Sequence, residues 1–221
     1  MARRLFAIGL VIASAGLARA EDVSPNLSCT TEGTFTNCDV VGDGSFETVV
    51  RRVQVLSNRP ANDDAKIVDQ LKRNRNVLPP PFLYELARRL FATDKTEAKY
   101  YFFLAGARAR YDGFRCRDTT AVQGYQIVLM ELGEQLTALN DYDDADVEYR
   151  ALELLLERNE MFSGKASPWW ICSHGIKAIG AAMHQQTLRS DDWLKPQKAW
   201  SEAEREVRDA VRYTIDKYKP K

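Results

Sequence analysis

The sequence predicts an all-α protein of antiparallel helical hairpins, preceded by a small irregular N-terminal arm pinned by a disulfide. Three observations carry that prediction. From Ser45 to the C-terminus, apolar residues recur at spacings of three and four in one segment after another, the period of a helix that buries one stripe. Short stretches rich in proline, asparagine and aspartate, such as Pro79-Pro80-Pro81 and Asn140-Asp141-Tyr142-Asp143, interrupt those segments, and helices joined by short connections pack antiparallel. All four cysteines follow an N-terminal export signal, and an even count in an oxidising compartment reads as two disulfides.

The signal opens the chain. Arg3 and Arg4 give a positive start, residues 5–17 are apolar or small, and Ala18-Arg19-Ala20 offers the small-x-small pattern of a cleavage site. The run is shorter than the about 20 apolar residues that span a bilayer, so cleavage after residue 20 is expected rather than anchoring. Residues 21–44 then form the arm and residues 45–221 a single helical domain, in a periplasmic or secreted protein. Residues 1–20 hold three of the 31 Lys plus Arg and none of the 31 Asp plus Glu, so the mature chain has a formal net charge of −3. That balance argues against a nucleic-acid partner. No later stretch is long and uncharged enough to span a bilayer, so no stable membrane insertion is expected after cleavage.

The arm is rich in Ser, Thr, Asn, Gly and Asp, with a short hairpin expected around Val41-Gly42-Asp43-Gly44. Four cysteines allow three connectivities. Cys29 and Cys38 close a short loop that has no core of its own, which favours pairing them and leaves Cys116 with Cys172. In the helical part, Ser45 is an N-cap before Phe46, Val49, Val50, Val53 and Leu56, and Asn62, Asp63 and Asp64 start a helix burying Ile67, Val68 and Leu71. Pro79-Pro80-Pro81 is a rigid entry to a helix over residues 82–92, since proline in the first turn removes an N–H that has no partner there. Thr93-Asp94-Lys95 breaks it from a helix over residues 97–112. Residues 122–139 read as one apolar helix, and residues 144–161 as another with Ala145, Tyr149, Leu152 and Leu156 inward. A final helix over residues 197–219 turns Ala203, Val207, Ala210, Val211 and Ile215 inward.

The stretch Leu132-Gly133-Glu134-Gln135-Leu136, followed by Asn140-Asp141-Tyr142-Asp143-Asp144-Ala145, Tyr149 and Ala151, resembles a tetratricopeptide repeat. In that family a Leu-Gly pair lets two helices approach closely and an Asn-Asp-Tyr turn reverses the chain. The hairpin carrying Leu83, Leu86-Ala87, Leu90, Ala98, Tyr101-Phe102 and Leu104-Ala105 is similar to the same repeat or to its Sel1-like relative. The resemblance covers about a third of the mature chain; a decorated helical bundle is the alternative frame. It implies side-by-side helix pairs that shape a concave surface for a protein or peptide, closed by the final helix as a cap.

Candidate chemistry concentrates at Trp169-Trp170-Ile171-Cys172-Ser173-His174-Gly175. A thiol beside an imidazole is the composition of a cysteine nucleophile. A disulfide removes that thiol, however, and side chains two apart on a helix point away from each other. The preferred reading is a tryptophan-rich helix start, capped by Ser167 and Pro168, packed over a disulfide. His174 and His184 stand ten residues apart, almost three turns on one helix, and cannot share an ion. A calcium loop starting at Asp141 would need glycine where Asp146 stands and a carboxylate where Leu152 stands. Asp143 and Asp144 instead suit a helix start. No metal and no cofactor is expected.

Arg108, Arg110, Arg115 and Arg117 surround Cys116, with Arg88 and Arg89 on the preceding helix. Guanidinium forks suit carboxylates and phosphates, although a face paired with Glu85, Glu97, Asp112 and Asp118 is the ordinary reading. Tyr100, Tyr101, Phe102 and Phe103 cover both sides of their helix, so some rings must leave its own seam. The expected binding face is therefore Tyr100, Phe103, Arg108 and Arg110, on a non-enzymatic protein whose partner is a protein or peptide. The alternative is an envelope hydrolase using Cys172 with His174, or a carboxylate pair such as Glu131 and Glu134.

Overall fold

The structure, a computed structural model, describes residues 27–32, 35–40 and 44–219, the first two segments by their backbone only. The expected signal peptide and the start of the arm lie outside the described residues. Where the arm is described it is paired rather than irregular: β1 (Leu27–Glu32) and β2 (Phe35–Val40) run antiparallel, Glu32 opposite Phe35 and Cys29 opposite Cys38. Thr30, Thr31, Phe35, Thr36 and Val40 are strand formers. The hairpin expected around residues 41–44 lies largely outside the described residues.

Among the described residues after the arm, the regular elements are helices, and an isolated bridge joins Cys116 and Leu194. Gly44, at φ 61, supplies a left-handed turn that a side chain would resist, and Ser45 then caps α1 (Phe46–Ser57) by accepting from the Thr48 N–H at 3.4 Å. Its stripe of Phe46, Val49, Val50, Val53 and Leu56 is buried, as the spacing requires. A 3-10 turn leads into α2 (Asp64–Asn74), which buries Ile67 and Leu71. Prolines open α3 (Pro80–Leu90). Asp94 caps α4 (Lys95–Arg115), accepting from the Glu97 N–H at 2.9 Å.

At 21 residues, α4 is the longest helix among the described residues and the axis of the fold, packed against α3, α7 (Ala145–Arg158) and α11 (Trp200–Tyr218). Between them the expected single helix over residues 122–139 is two, α5 (Gly124–Glu131) and α6 (Gly133–Asn140), because Leu132 at φ −97 and ψ 5 leaves helical geometry. A side chain at Gly133 would meet nothing within 4 Å, so this glycine marks the break rather than a close helix approach.

On α7 the buried set is Glu148, Ala151, Leu152 and Leu155, whereas Ala145 and Leu156 are exposed. The stripe is rotated from the expected one because Glu148 faces α4, where its carboxylate meets the Lys99 ammonium at 2.6 Å. Asn159 ends α7 in the left-handed region at φ 49. The tryptophan-rich start is a single turn, α8 (Trp169–Cys172), followed by α9 (Ile176–Met183) and α10 (Ser190–Trp193). Gly175 stands between α8 and α9, where a side chain would come within 2.9 Å of the Asp118 carboxylate.

Cys116 and Cys172 are bonded at 2.00 Å, tying the end of α4 to α8 across 56 residues. Beside that bridge the Arg117 N–H donates to the Trp193 carbonyl and the Lys195 N–H to the Arg115 carbonyl, each at 2.8 Å. Three distant segments thus meet at one end of α4. Among the described residues no helix is long and apolar enough to cross a membrane.

Candidate functional site

The aromatic run on α4 divides between two environments. Tyr100 and Tyr101 are buried on one side, where the Tyr100 hydroxyl donates to Glu160 at 2.6 Å. Phe102 and Phe103 turn to the other side and line a cavity of about 260 Å³. Its walls come from five helices: Tyr84 of α3; Phe102, Phe103, Gly106, Ala107 and Arg110 of α4; Tyr125 and Leu129 of α5; Leu152 and Leu155 of α7; and the Val207, Ala210, Val211 and Thr214 stripe of α11. The Tyr84 ring stands edge-on to Phe102 at 5.3 Å, and Phe102 to Phe103 at 6.0 Å.

Polar groups in this wall are few, and each can donate. Arg110 is exposed, its guanidinium 5.2 Å from the Tyr125 ring centroid, and its Nη2 donates to the Tyr125 hydroxyl at 3.4 Å. Burial works against ionising Tyr125, but hydrogen bonds from Arg110 and Gln126 and the Arg110 charge draw its pKa below the ordinary phenol value. Tyr84 is 1% exposed and its hydroxyl has no hydrogen bond among the described residues. Burial pushes its pKa up, opposed by the charge of Arg110. The hydroxyl lies 3.5 Å from where a side chain at Gly106 would begin. Gly106 keeps that corner open.

Arg108 is sealed into the opposite side of α4. At 3% exposed, it donates through Nε to the Glu160 carbonyl at 3.2 Å, and through Nη2 to the same carbonyl and to Asn76 Oδ1 at 2.8 Å. Nη1 donates to the Arg75 carbonyl. Burial holds its pKa below the ordinary guanidinium value, with the Glu160 charge opposing. Glu160 accepts from Arg75 Nη2 at 2.8 Å; burial raises its pKa, but these bonds from Arg75 and Tyr100 bring it below the ordinary carboxylate value. Asp112 accepts from Arg115 and, at 2.7 Å, from the Trp170 indole N–H. Burial pushes the Asp112 carboxyl up against the pull of Arg115.

The expected face of Tyr100, Phe103, Arg108 and Arg110 is thus two regions. Phe103 and Arg110 line the cavity together, whereas Tyr100 and Arg108 belong to the buried ionic seam and lie on no open surface. The basic cluster is likewise divided. Arg88 and Arg89 grip Glu85, Arg89 also meets Asp64, Arg115 meets Asp112, and Arg117 donates to the Leu194 carbonyl at 3.0 Å. Among the described residues, Arg110 is the one guanidinium of these six that meets neither a carboxylate nor a carbonyl.

Cys172 and His174 do not form a nucleophile and base. With its sulfur bonded to Cys116, Cys172 has no thiol, and the His174 ring packs against Phe46 at 4.3 Å. His184 follows α9 while His174 precedes it, so the two share no helix. Glu131 ends α5 and is exposed, and Glu134 sits beyond the break in α6. Asp144 caps α7, accepting from the Val147 N–H at 3.1 Å. Among the described residues no group of three His, Cys, Asp or Glu is placed to hold a metal ion.

Sequence reading missed Tyr84, Tyr125, Gly106 and the α11 wall as site residues. A usable signal existed at Ala105-Gly106-Ala107, where glycine inside a helix costs stability and marks a surface that must recede. No family model matches the chain, and neither a curated protein nor a solved structure matches it.

Proposed function

We propose that this chain is an exported α-helical binding protein that engages another protein or a peptide in the bacterial envelope, through the face bearing Phe103 and Arg110. The observation that carries the reading is Arg110: an exposed cation with no acidic partner among the described residues, at an aromatic-walled cavity, in a molecule whose neighbouring arginines are committed to carboxylates and carbonyls. Aromatic side chains beside arginine are the residues that dominate binding energy at protein contacts. A disulfide closing a long loop suits the oxidising compartment that the N-terminal signal implies. The helical hairpins, similar in sequence to tetratricopeptide and Sel1-like units, serve as frame, and shape rather than a reactive group is the working part. Scaffold, adaptor and toxin-neutralising roles all use this device.

Reversing Arg108 together with Arg110 would disrupt the buried seam, so the informative variant is Arg110→Glu alone. Wild-type protein immobilised on beads and exposed to envelope extract should retain a partner that Arg110→Glu loses, with the variant's circular dichroism and Tm unchanged. Equal recovery by both moves the contact to another face.

A further inference from the structure

We infer that the cavity lined by Tyr84, Phe102, Phe103, Gly106, Arg110 and Tyr125 binds a monocarboxylate with an apolar body, the carboxylate held by Arg110 and the two tyrosine hydroxyls and the carbon skeleton lodged between the helices. The inference deepens the binding reading above and rests on it for the location of the contact face.

The donors set the chemistry of the head group. Arg110 offers N–H groups that no carboxylate or carbonyl occupies among the described residues. The Tyr125 oxygen already accepts from Arg110 and from Gln126, both at 3.4 Å, which leaves its own proton to donate. The Tyr84 side chain lines the cavity, and among the described residues its hydroxyl makes no hydrogen bond, which leaves its proton for a ligand. Donors converge, and among the described residues no acidic side chain lines the cavity. The missing component is an anionic acceptor, and a single guanidinium matches one negative charge better than the two of a phosphate monoester.

The rest of the wall sets the body. Apart from these groups and Thr214 it is aromatic and aliphatic, so the ligand's remainder is apolar. The cavity volume is about 260 Å³. It lies below the ~300–1,000 Å³ of sites that enclose drug-sized ligands. That room suits one large side chain or a short acyl chain. The C-terminal residue of a peptide and a free medium-chain acid present the same chemistry.

Calorimetric titration of the mature, disulfide-bonded protein tests this with three probes: acetyl-Gly-Gly-Phe with a free carboxylate, its C-terminal amide, and octanoate. The free-acid peptide should bind saturably and the amide about 10- to 100-fold more weakly, the loss expected for a charge-assisted hydrogen bond. Arg110→Gln should weaken the acid by a similar factor. Tyr84→Phe should weaken it several-fold while leaving Tm unchanged or raised, because that variant removes a hydroxyl with no partner in the free protein; a merely structural tyrosine would lower Tm. Gly106→Leu should fill the cavity and abolish binding in a folded protein. Octanoate binding with the same sensitivities, in the absence of peptide binding, supports the carboxylate site and assigns it to a small acid, against the peptide reading. Equal affinity for acid and amide, or no binding of either acid, overturns the inference; the proposed contact face is then judged separately by partner recovery with Arg110→Glu.

Discussion

Arg108 and Arg110 stand two residues apart on α4 and meet opposite environments. Arg108 is shut in the seam between α4, the end of α2 and the chain after α7, with carbonyls and Asn76 occupying its donors. Arg110 is exposed beside a cavity and, among the described residues, donates only to a phenol. Helical geometry sends neighbours two apart to different sides, so one residue type serves two purposes within a single turn. A buried guanidinium must have its donors met or folding fails. An exposed one remains available to a ligand.

If the sealed side holds the molecule together and the open side is spared for recognition, changes to the two should differ in size and sign. The largest loss belongs to the bridge beside the seam. Replacing both Cys116 and Cys172 with alanine releases a 56-residue separation in the unfolded chain and should cost about 4 kcal/mol by the loop-entropy relation, read as a fall in the urea midpoint. Arg108→Met leaves the Glu160 and Arg75 carbonyls without their donors and should cost about 3 kcal/mol in the same measurement. A loss as large at Arg110, whose exposed side chain should change stability by under about 0.5 kcal/mol, would erase the distinction.

Glu160 gives the seam a pH signature. Its folded pKa lies below the ordinary carboxylate value, so its contribution is complete above the unfolded value of about 4.3 and is lost as pH falls through the lower folded one. Glu160→Gln should cost about 2 kcal/mol near neutrality through its weakened bonds to Arg75, and should flatten the fall of Tm between about pH 5 and 3. An unchanged acid slope would mean that other carboxylates govern acid unfolding. The smallest effect has the opposite sign. Gly106→Ala adds a methyl at ordinary contact distance, 3.5 Å from the Tyr84 hydroxyl, and should stabilise by about 0.5 to 1 kcal/mol through helix propensity. Destabilisation instead would show that the cavity corner is already full.

Local elements were legible where a single physical signal acted alone. Ser45 caps the helix it precedes, Asp144 stands at a helix start, and the Phe46-Val49-Val50-Val53-Leu56 stripe is buried as its period requires. The Cys116–Cys172 bond also matches the pairing drawn from loop lengths. Misreadings arose where two signals competed. An apolar run over residues 122–139 hides the break at Leu132, because hydrophobicity continues while the backbone turns. The inward stripe of α7 is displaced because Glu148, a charge that periodicity assigns to solvent, meets Lys99 across a helix interface. In the arm, low apolar content concealed strand propensity that Thr30, Thr31, Phe35 and Thr36 carry.

The candidate site shows the same limit. Composition and spacing identified an aromatic run and a basic cluster on one helix, and two of the four residues named from them, Phe103 and Arg110, line the cavity. Which arginine is sealed and which is open depends on residues far away in sequence: Asn76 and Glu160 close over Arg108, while Tyr84, Tyr125 and the α11 stripe surround the other side. The sequence by itself determined helix starts, helical periodicity and the loop-closing cysteine pair, because those are set within a few turns of chain or by counting. Tertiary structure alone decided which donors are satisfied, because burial and hydrogen bonding are properties of where distant segments meet.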